Sequence, residues 1–414
     1  MTVNKEKALA MHRKAKGKIS IYPTVNIRRE EDISMAYVPG SVYAAQEIIN
    51  DKSCVYEYTG KRNRLAVITD GSATLGLGNI GPEASLPVME GKCLLFKQFG
   101  DVNAFPLCLA SQDSEDIIHT AQLIAPTVGA INIEDVATPN TFTVVRALQK
   151  RLEIPVISDD QHGSAVVILA ALMNALKVVD KKIEDIKIVM FGSGAAGIAT
   201  TELLLYAGAK NIIALNSSGI LGNENTRMNH IQQELSTRIN PMGIKGDISN
   251  AIEGADVLIG FSSTGKISGE MIKRMGKDPV VFSLSRPEPE ITPEEALNAG
   301  ARIAASSIHS SVNPLPNQHA YPGICRGLLD IRATGLNSNI LMAAAMAIYD
   351  VVDRLRLSED HIMPDLFSDE VTPQVAEAVA QTAIKEGLAT IKVPPGHVYD
   401  ETWQRLFGGP RARL

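Results

Sequence analysis

From Ile186 onward, short apolar runs alternate with stretches whose apolar residues recur at helical spacing, and few folds accept that alternation. Residues 186–191, 211–215, 256–261, 279–284 and 301–305 read as strands. Residues 198–207 and 268–276 read as helices between them, and Pro293-Glu294-Glu295 makes a good first helical turn with proline near its start. Strands separated by helices pair in parallel, so this half of the chain is expected to form a doubly wound parallel sheet of the Rossmann type.

Upstream, residues 65–69, 92–96, 130–133 and 155–157 read as strands of a second α/β unit. Thr69-Asp70-Gly71-Ser72 and the glycine-rich stretch from Leu75 to Pro82 punctuate them. After about Tyr321 the chain reads as helices, clearest over 339–350 and 373–386. With 414 residues, 45% of them apolar, the chain can bury more than one core. The expected organisation is α/β: an N-terminal domain over 1–158, a Rossmann-like nucleotide-binding domain over 159–317, and a mostly helical segment over 318–414 that packs back on the first domain.

A net charge of −6 argues against a nucleic-acid partner, and the basic Arg411-Ala412-Arg413 is too short to alter that. Cys54, Cys93, Cys108 and Cys325 are scattered and form no C-x-x-C pair, as in a reduced, cytoplasmic protein. The longest apolar candidates, such as 165–173, look too short to span a bilayer, and the first residues lack the apolar stretch of a signal peptide. No membrane association is expected.

After the strand at 186–191 comes Gly192-Ser193-Gly194-Ala195-Ala196-Gly197, followed at once by a helix-forming run. The spacing is that of a dinucleotide fingerprint in its required strand–turn–helix context. The glycines permit a tight turn and close approach of backbone N–H groups to a pyrophosphate. Gly192, Gly194, Ala195, Ala196 and Gly197 are therefore expected cofactor contacts. The next strand ends in Asn216-Ser217-Ser218, with no acid for a ribose and no immediate Arg or Lys for a 2′-phosphate, so either NAD or NADP is admissible.

Two acidic pairs, Glu134-Asp135 and Asp159-Asp160, stand where strands end. Side chains there converge on one crevice in a parallel sheet, and carboxylates brought together need a cation. Hard oxygen ligands suit Mg²⁺ or Mn²⁺; the lone His162 has no second imidazole for zinc. N-capping explains one member of each pair at most.

These residues resemble the malic enzymes of the short bacterial and archaeal type. The matching stretches are Ala36-Tyr37-Val38-Pro39-Gly40, Thr69-Asp70-Gly71, Leu75 through Ala84, Met89-Glu90-Gly91-Lys92, Ile133-Glu134-Asp135, Asp159 through Gly163, Gly192 through Gly197 and Tyr321-Pro322-Gly323. The resemblance implies oxidative decarboxylation of malate to pyruvate and CO₂, with reduction of NAD or NADP. It implies that Glu134, Asp135 and Asp160 ligate the metal and that Lys92 takes the hydroxyl proton. Asp159 then contacts that lysine, Tyr37 protonates the enolate carbon, and a homodimer is expected. A lysine acting as base needs its pKa brought well below the usual 10.4 or so.

The chain departs from that pattern in the substrate pocket. The family's Ala-Asn-Pro is Ser285-Arg286-Pro287 here, and its paired asparagines become Pro316-Asn317, keeping only Asn317. Three readings of Arg286 are open: a fork onto a malate carboxylate, a reshaped pocket for another anionic 2-hydroxy acid, or a side chain turned outward or paired with Glu288 or Glu290.

Overall fold

The computed structural model describes residues 4–352 and 356–408; Arg411 and Arg413 fall outside them. Two sheets organise the chain. The first contains β1 (Arg64–Thr69), β2 (Asn103–Cys108), β3 (Ala130–Ile133) and β4 (Val156–Ile157) in the order β2-β1-β3-β4, all parallel. The second contains β5 (Lys187–Phe191), β6 (Asn211–Asn216), β7 (Gly219–Ile220), β8 (Val257–Gly260), β9 (Val280–Ser283) and β10 (Ile303–Ser306) in the order β10-β9-β8-β5-β6-β7. Its strands are parallel except for β7, which turns back antiparallel to β6 at the edge.

Central strands buried on both faces need apolar residues throughout, which is why these runs do not alternate. β3, β8, β9 and β10 are buried at every position. Each sheet has a point where neighbouring connections run in opposite directions, between β1 and β3 in one and between β5 and β8 in the other. Ligands bind beyond the carboxyl ends of the strands at such points.

Residues 92–96 are not a strand but the interior of a twenty-residue helix, Gly81–Gly100. The local run Lys-Cys-Leu-Leu-Phe suits either template, but over the whole segment the buried residues are Ser85, Met89, Cys93, Phe96 and Gly100, spaced for one helix face. The strand in its place is β2, which the sequence concealed because Pro106 stands within it. Proline is tolerated there because β2 is an edge strand paired only with β1. The helix expected over 268–276 is confined to Gly269–Ile272.

The Asp159–Val178 run corrects the membrane expectation on length: it is long and apolar enough to cross a bilayer, but 78% of that window is buried inside the protein. It is a core helix. Its Ser164–Val178 part packs on the helices Ala195–Tyr206 and Ser338–Val351, and one continuous core joins residues of both sheets. The C-terminal helices Tyr321–Asp330 and Ser338–Val351 pack on Val371–Lys385, and Tyr321–Asp330 also packs on Gly81–Gly100. A Cβ on Gly323 would stand 2.7 Å from Val375 Cβ, and one on Gly327 would stand 2.4 Å from the Ala376 carbonyl oxygen, so glycine sets that helix spacing.

Candidate active site

Three of the four acids meet at the end of the first sheet. Ligand oxygens of Glu134, Asp135 and Asp160 lie within 4.8 Å of one another. Glu134 and Asp135 follow β3, and Asp135 holds a left-handed backbone conformation (φ 54°) that aspartate tolerates better than most residues. Its backbone N–H donates to Asp160 Oδ2 at 2.7 Å, fixing the two loops against each other. Asp159 and Asp160 open a single π-helical turn, Asp159–Gly163, whose wide winding is often found at functional sites. A Cβ on Gly163 would fall 1.8 Å from Asp159 Oδ1, so this carboxylate requires glycine four residues on.

Capping does not account for these acids. The helix Asn140–Arg151 begins at Pro139 and Ser164–Val178 at Gly163, each without a side-chain cap. Burial, reinforced by neighbouring negative charge, pushes Glu134 up to about 8 and Asp135 and Asp160 up to about 7. Asp135 Oδ2 is buried without a hydrogen-bond partner. Three hard oxygen donors, two on buried and one on a half-buried residue, with one oxygen unsatisfied, fit a divalent Mg²⁺ or Mn²⁺ ion. His162 does not join them: its ring accepts from the Ser158 N–H at 3.1 Å, and burial lowers it to about 4, keeping it neutral.

Lys92 enters from the Gly81–Gly100 helix. Its Nζ lies 2.5 Å from Asp159 Oδ2 and 2.8 Å from Glu134 Oε1, and 4.4 Å from the centre of the Tyr321 ring. Burial lowers the lysine's pKa, but the charges of Asp159 and Glu134 outweigh it and hold the ammonium well above its ordinary range. With both carboxylates ionised, the lysine is an acid rather than a base. Asn317 Nδ2 donates to the same Asp159 oxygen at 3.2 Å and to Ser164 Oγ at 3.0 Å.

The fingerprint lies across from this cluster. Gly192 has φ 117°, and a Cβ there would stand 2.4 Å from the Phe261 carbonyl oxygen; on Gly197 it would stand 1.9 Å from the Gly192 oxygen. Those two glycines are demanded by the turn. Gly194 is different, since a Cβ there meets nothing within 4 Å. It faces a cavity of about 400 Å³ lined by Asp135 and Asp160 on one side, by Gly194, Ala195, Ala196 and Gly197 on the other, and by Asn317 and Arg286 at the rim. The carboxyl ends of the two sheets thus share one space, of a size usual for small-molecule sites. Gly194→Val is accordingly expected to raise the cofactor Kd at least about tenfold with a nearly unchanged melting temperature, whereas Gly197→Ala lowers the melting temperature. Cofactor titration and thermal melts separate the two outcomes.

Two matches with known families bear on this cavity: the description "Malic enzyme, N-terminal domain" over residues 14–116, and "Malic enzyme, NAD binding domain" over residues 161–384. The chain belongs to the malic enzyme family. It is 44% identical over 400 residues to the bifunctional malic/malolactic enzyme of Bacillus subtilis, covering 96% of this chain and 97% of that one. It is 36% identical to the NADP-dependent malic enzyme of Halomonas elongata over 98% of this chain and 99% of that one. The crystal structure of malic enzyme from Pyrococcus horikoshii superposes with a TM-score of 0.93 at 43% identity, covering 97% of this chain and 95% of that one. As a malic enzyme, the protein is a nicotinamide-dependent oxidoreductase.

Within this malic enzyme the structure brings Lys92, Asp159, Glu134, Asp135, Asp160 and Asn317 together, and places Arg286 on the same cavity. Arg286 makes no ion pair with Glu288 or Glu290; Glu290 instead accepts hydrogen bonds from the Ser262 and Ser285 N–H groups and the Ser283 hydroxyl. The pairing with Glu288 or Glu290 is therefore absent, while Arg286 itself is exposed. Tyr37 stands apart: it is 70% exposed, and among the described residues it neither lines the cavity nor touches Lys92.

Two contributors escaped the sequence reading. Asn132 Nδ2 donates to Glu134 Oε2 at 2.7 Å while its Oδ1 accepts from the Asp159 N–H at 3.1 Å, so one amide orients both carboxylate loops. The signal was a polar residue inside the apolar strand Ala130–Ile133. Arg227 lies eleven residues beyond the end of β6 but shares a small surface pocket with Ser217, Ser218, Glu224, Asn225 and Thr226. The Asn216 side chain holds this loop, accepting from Ser218 N–H and from Asn225 Nδ2. A cation and an anion therefore both stand where a ribose 2′ substituent would be read.

Proposed function

We propose that the protein oxidatively decarboxylates malate to pyruvate and CO₂, reducing NAD or NADP, with a divalent Mg²⁺ or Mn²⁺ held by Glu134, Asp135 and Asp160. The observation that carries this reading is the single cavity bounded by those acids and by Gly194–Gly197, with Lys92 beside them. When bound, such an ion supplies positive charge for a substrate oxygen and for the enolate that forms when CO₂ departs.

The protein's own groups divide the proton work. Lys92, as the free amine, takes the malate hydroxyl proton; a nicotinamide held by Gly192–Gly197 would accept the hydride. CO₂ then leaves, and the Tyr37 hydroxyl gives its proton to the enolate carbon, forming pyruvate. The proton gained by Lys92 restores the tyrosine, so the protein ends the turnover with no net gain or loss of protons. Lowered negative charge at Glu134 is what frees Lys92 to act as a base, because that carboxylate and Asp159 hold its proton. Asp159 and Asn317 position the lysine and the substrate. Asn216 and Ser217 are assigned to the cofactor ribose.

On this reading, residues 1–158 form the catalytic domain, 159–317 the cofactor domain and 318–414 a helical segment, in a cytoplasmic protein whose four cysteines are free. Incubation with Mn²⁺, malate and each nicotinamide cofactor tests the assignment, and absence of reduced cofactor with both overturns it.

A second reading is favoured by Arg286, which lines the cavity and stays clear of Glu288 and Glu290. If it forks onto the second carboxylate of malate, Arg286→Asn lowers kcat/KM for malate by about 10–100-fold, as expected for a charged hydrogen bond. A rise for malate, with loss of turnover of a bulkier anionic 2-hydroxy acid, identifies Arg286 instead as the residue that selects that other substrate. Initial rates for both variants over a panel of such acids decide it.

A further inference from the structure

A carboxylate in a protein interior is ordinarily paired with a cation. Glu290 has no exposed surface, yet among the described residues its side chain meets only neutral donors. Oε1 accepts from the Ser262 N–H at 2.6 Å, and Oε2 accepts from the Ser283 hydroxyl at 2.8 Å and from the Ser285 N–H at 3.1 Å. Ser283 Oγ accepts in turn from the Ile291 N–H at 3.1 Å, which leaves its own hydrogen for Glu290. A carboxylate kept inside without a cation needs a reason beyond packing.

The reason lies in where the donors stand. Ser262 follows β8 and Ser285 follows β9, so one side chain ties together the loops leaving two neighbouring strands of the second sheet. β8 ends in glycine to admit it, since a Cβ on Gly260 would stand 2.7 Å from Glu290 Cδ. The loop from Ser285 to Glu290 is closed on itself by the Ser285 hydroxyl, which donates to the Glu288 carbonyl at 2.6 Å. Thr264 Oγ1 donates to the same carbonyl at 2.9 Å and fastens this loop to the one after β8. Arg286 lies within the closed loop. From the other wall of the cavity the glycine-rich loop after β1 abuts it: Gly76 has φ 78°, and a Cβ there would stand 2.7 Å from the Arg286 carbonyl oxygen. The Arg286 backbone is thus held from both sides, whereas its side chain is exposed.

We infer that Glu290 is a positioning residue for substrate selection, acting through Arg286. The inference rests on the proposed reading in which Arg286 meets an anionic group of the substrate. Glu290 itself is fully buried and stands behind the cavity wall, which Ser262, Ser285 and Arg286 line. A guanidinium recognises a carboxylate through two parallel hydrogen bonds, which demands orientation as well as charge. An arginine on a free loop meets that demand only by giving up backbone and side-chain freedom together. With its backbone fixed by Glu290, only the side chain remains to be ordered when substrate arrives.

Glu290→Gln tests this, because it keeps the size of the side chain but turns an amide NH₂ toward at least one of the three donors. Steady-state kinetics are measured on the acid that the wild-type protein turns over fastest. The variant shifts the KM for that acid by about 3–10-fold, in the same direction as Arg286→Asn. The Mn²⁺-induced rise in melting temperature stays as in the wild type, since Glu134, Asp135 and Asp160 follow strands of the first sheet. The double variant Arg286→Asn/Glu290→Gln has the KM of Arg286→Asn alone to within about twofold, because a residue that acts through another adds nothing once that other is gone. If Glu290→Gln fails to fold, Ser283→Ala, which removes one of the three donors, replaces it with an expected shift of about 2–5-fold. An unchanged KM in the folded variant, multiplied effects in the double variant, or a lost Mn²⁺ response overturns the inference and leaves the role of Arg286 standing. An unchanged KM in Arg286→Asn overturns both.

Discussion

Replacing Lys92 by alanine lowers kcat by about 10²–10⁴-fold, the range a positioned acid–base group contributes. The loss falls on kcat because Nζ, 2.5 Å from Asp159 and 2.8 Å from Glu134, is the only ammonium among the described residues in contact with these two buried carboxylates. Lys92→Arg restores the charge without restoring activity, since a guanidinium does not give up its proton near neutral pH. The same comparison isolates the structural share of the residue. Alanine leaves two buried acids without their cation, a change that costs about 3–5 kcal/mol when a buried pair is broken, whereas arginine retains part of it. Steady-state kinetics beside thermal melts read both effects, and wild-type turnover by a folded Lys92→Ala protein removes the lysine from the chemistry.

Asp160→Asn is expected to remove most of the response to Mn²⁺. A ligand present at a hundredfold over its Kd stabilises the folded state by about 2.7 kcal/mol, and the wild-type protein stripped with chelator should recover such a shift in melting temperature when the ion is returned. The asparagine still accepts the 2.7 Å hydrogen bond from Asp135 N–H through its carbonyl oxygen, so the loops remain joined. It removes a charged ligand, however, and with it most of the shift and nearly all turnover. Cofactor binding, measured separately by fluorescence titration, should be retained because Gly194–Gly197 lie on the other wall. A full Mn²⁺ shift in the variant would exclude Asp160 as a ligand.

Much of this site could be read before the fold was known, for physical reasons that differ from residue to residue. Gly192 and Gly197 are legible because a side chain at either would collide with backbone, so the requirement is local. The acids are legible because carboxylates at strand ends are costly to gather without a cation. Residues 92–96 were misread because five apolar-rich residues satisfy two periodicities, and only the spacing from Ser85 to Gly100 decides for the helix. β2 was missed through Pro106, which is admissible only because nothing pairs on its far side. Asn132 and Arg227 depend on which strands and loops become neighbours, and no local pattern encodes that. The isolation of Tyr37 is likewise a property of the folded chain: the motif around it is local, but its distance from any buried partner is not.

The cavity is walled by two sheets whose parts answer to different demands. The acids and Lys92 stand just after β3, on the π-helical turn and on the long helix, where a changed side chain disturbs buried packing. Arg286 stands on the loop after β9, exposed, at the rim. On the proposed reading, selectivity is therefore held in a segment that can drift without unsettling the core, and reactivity in one that cannot. A lineage with this layout can exchange one anionic acid for another by altering a few loop residues while its chemistry is inherited intact.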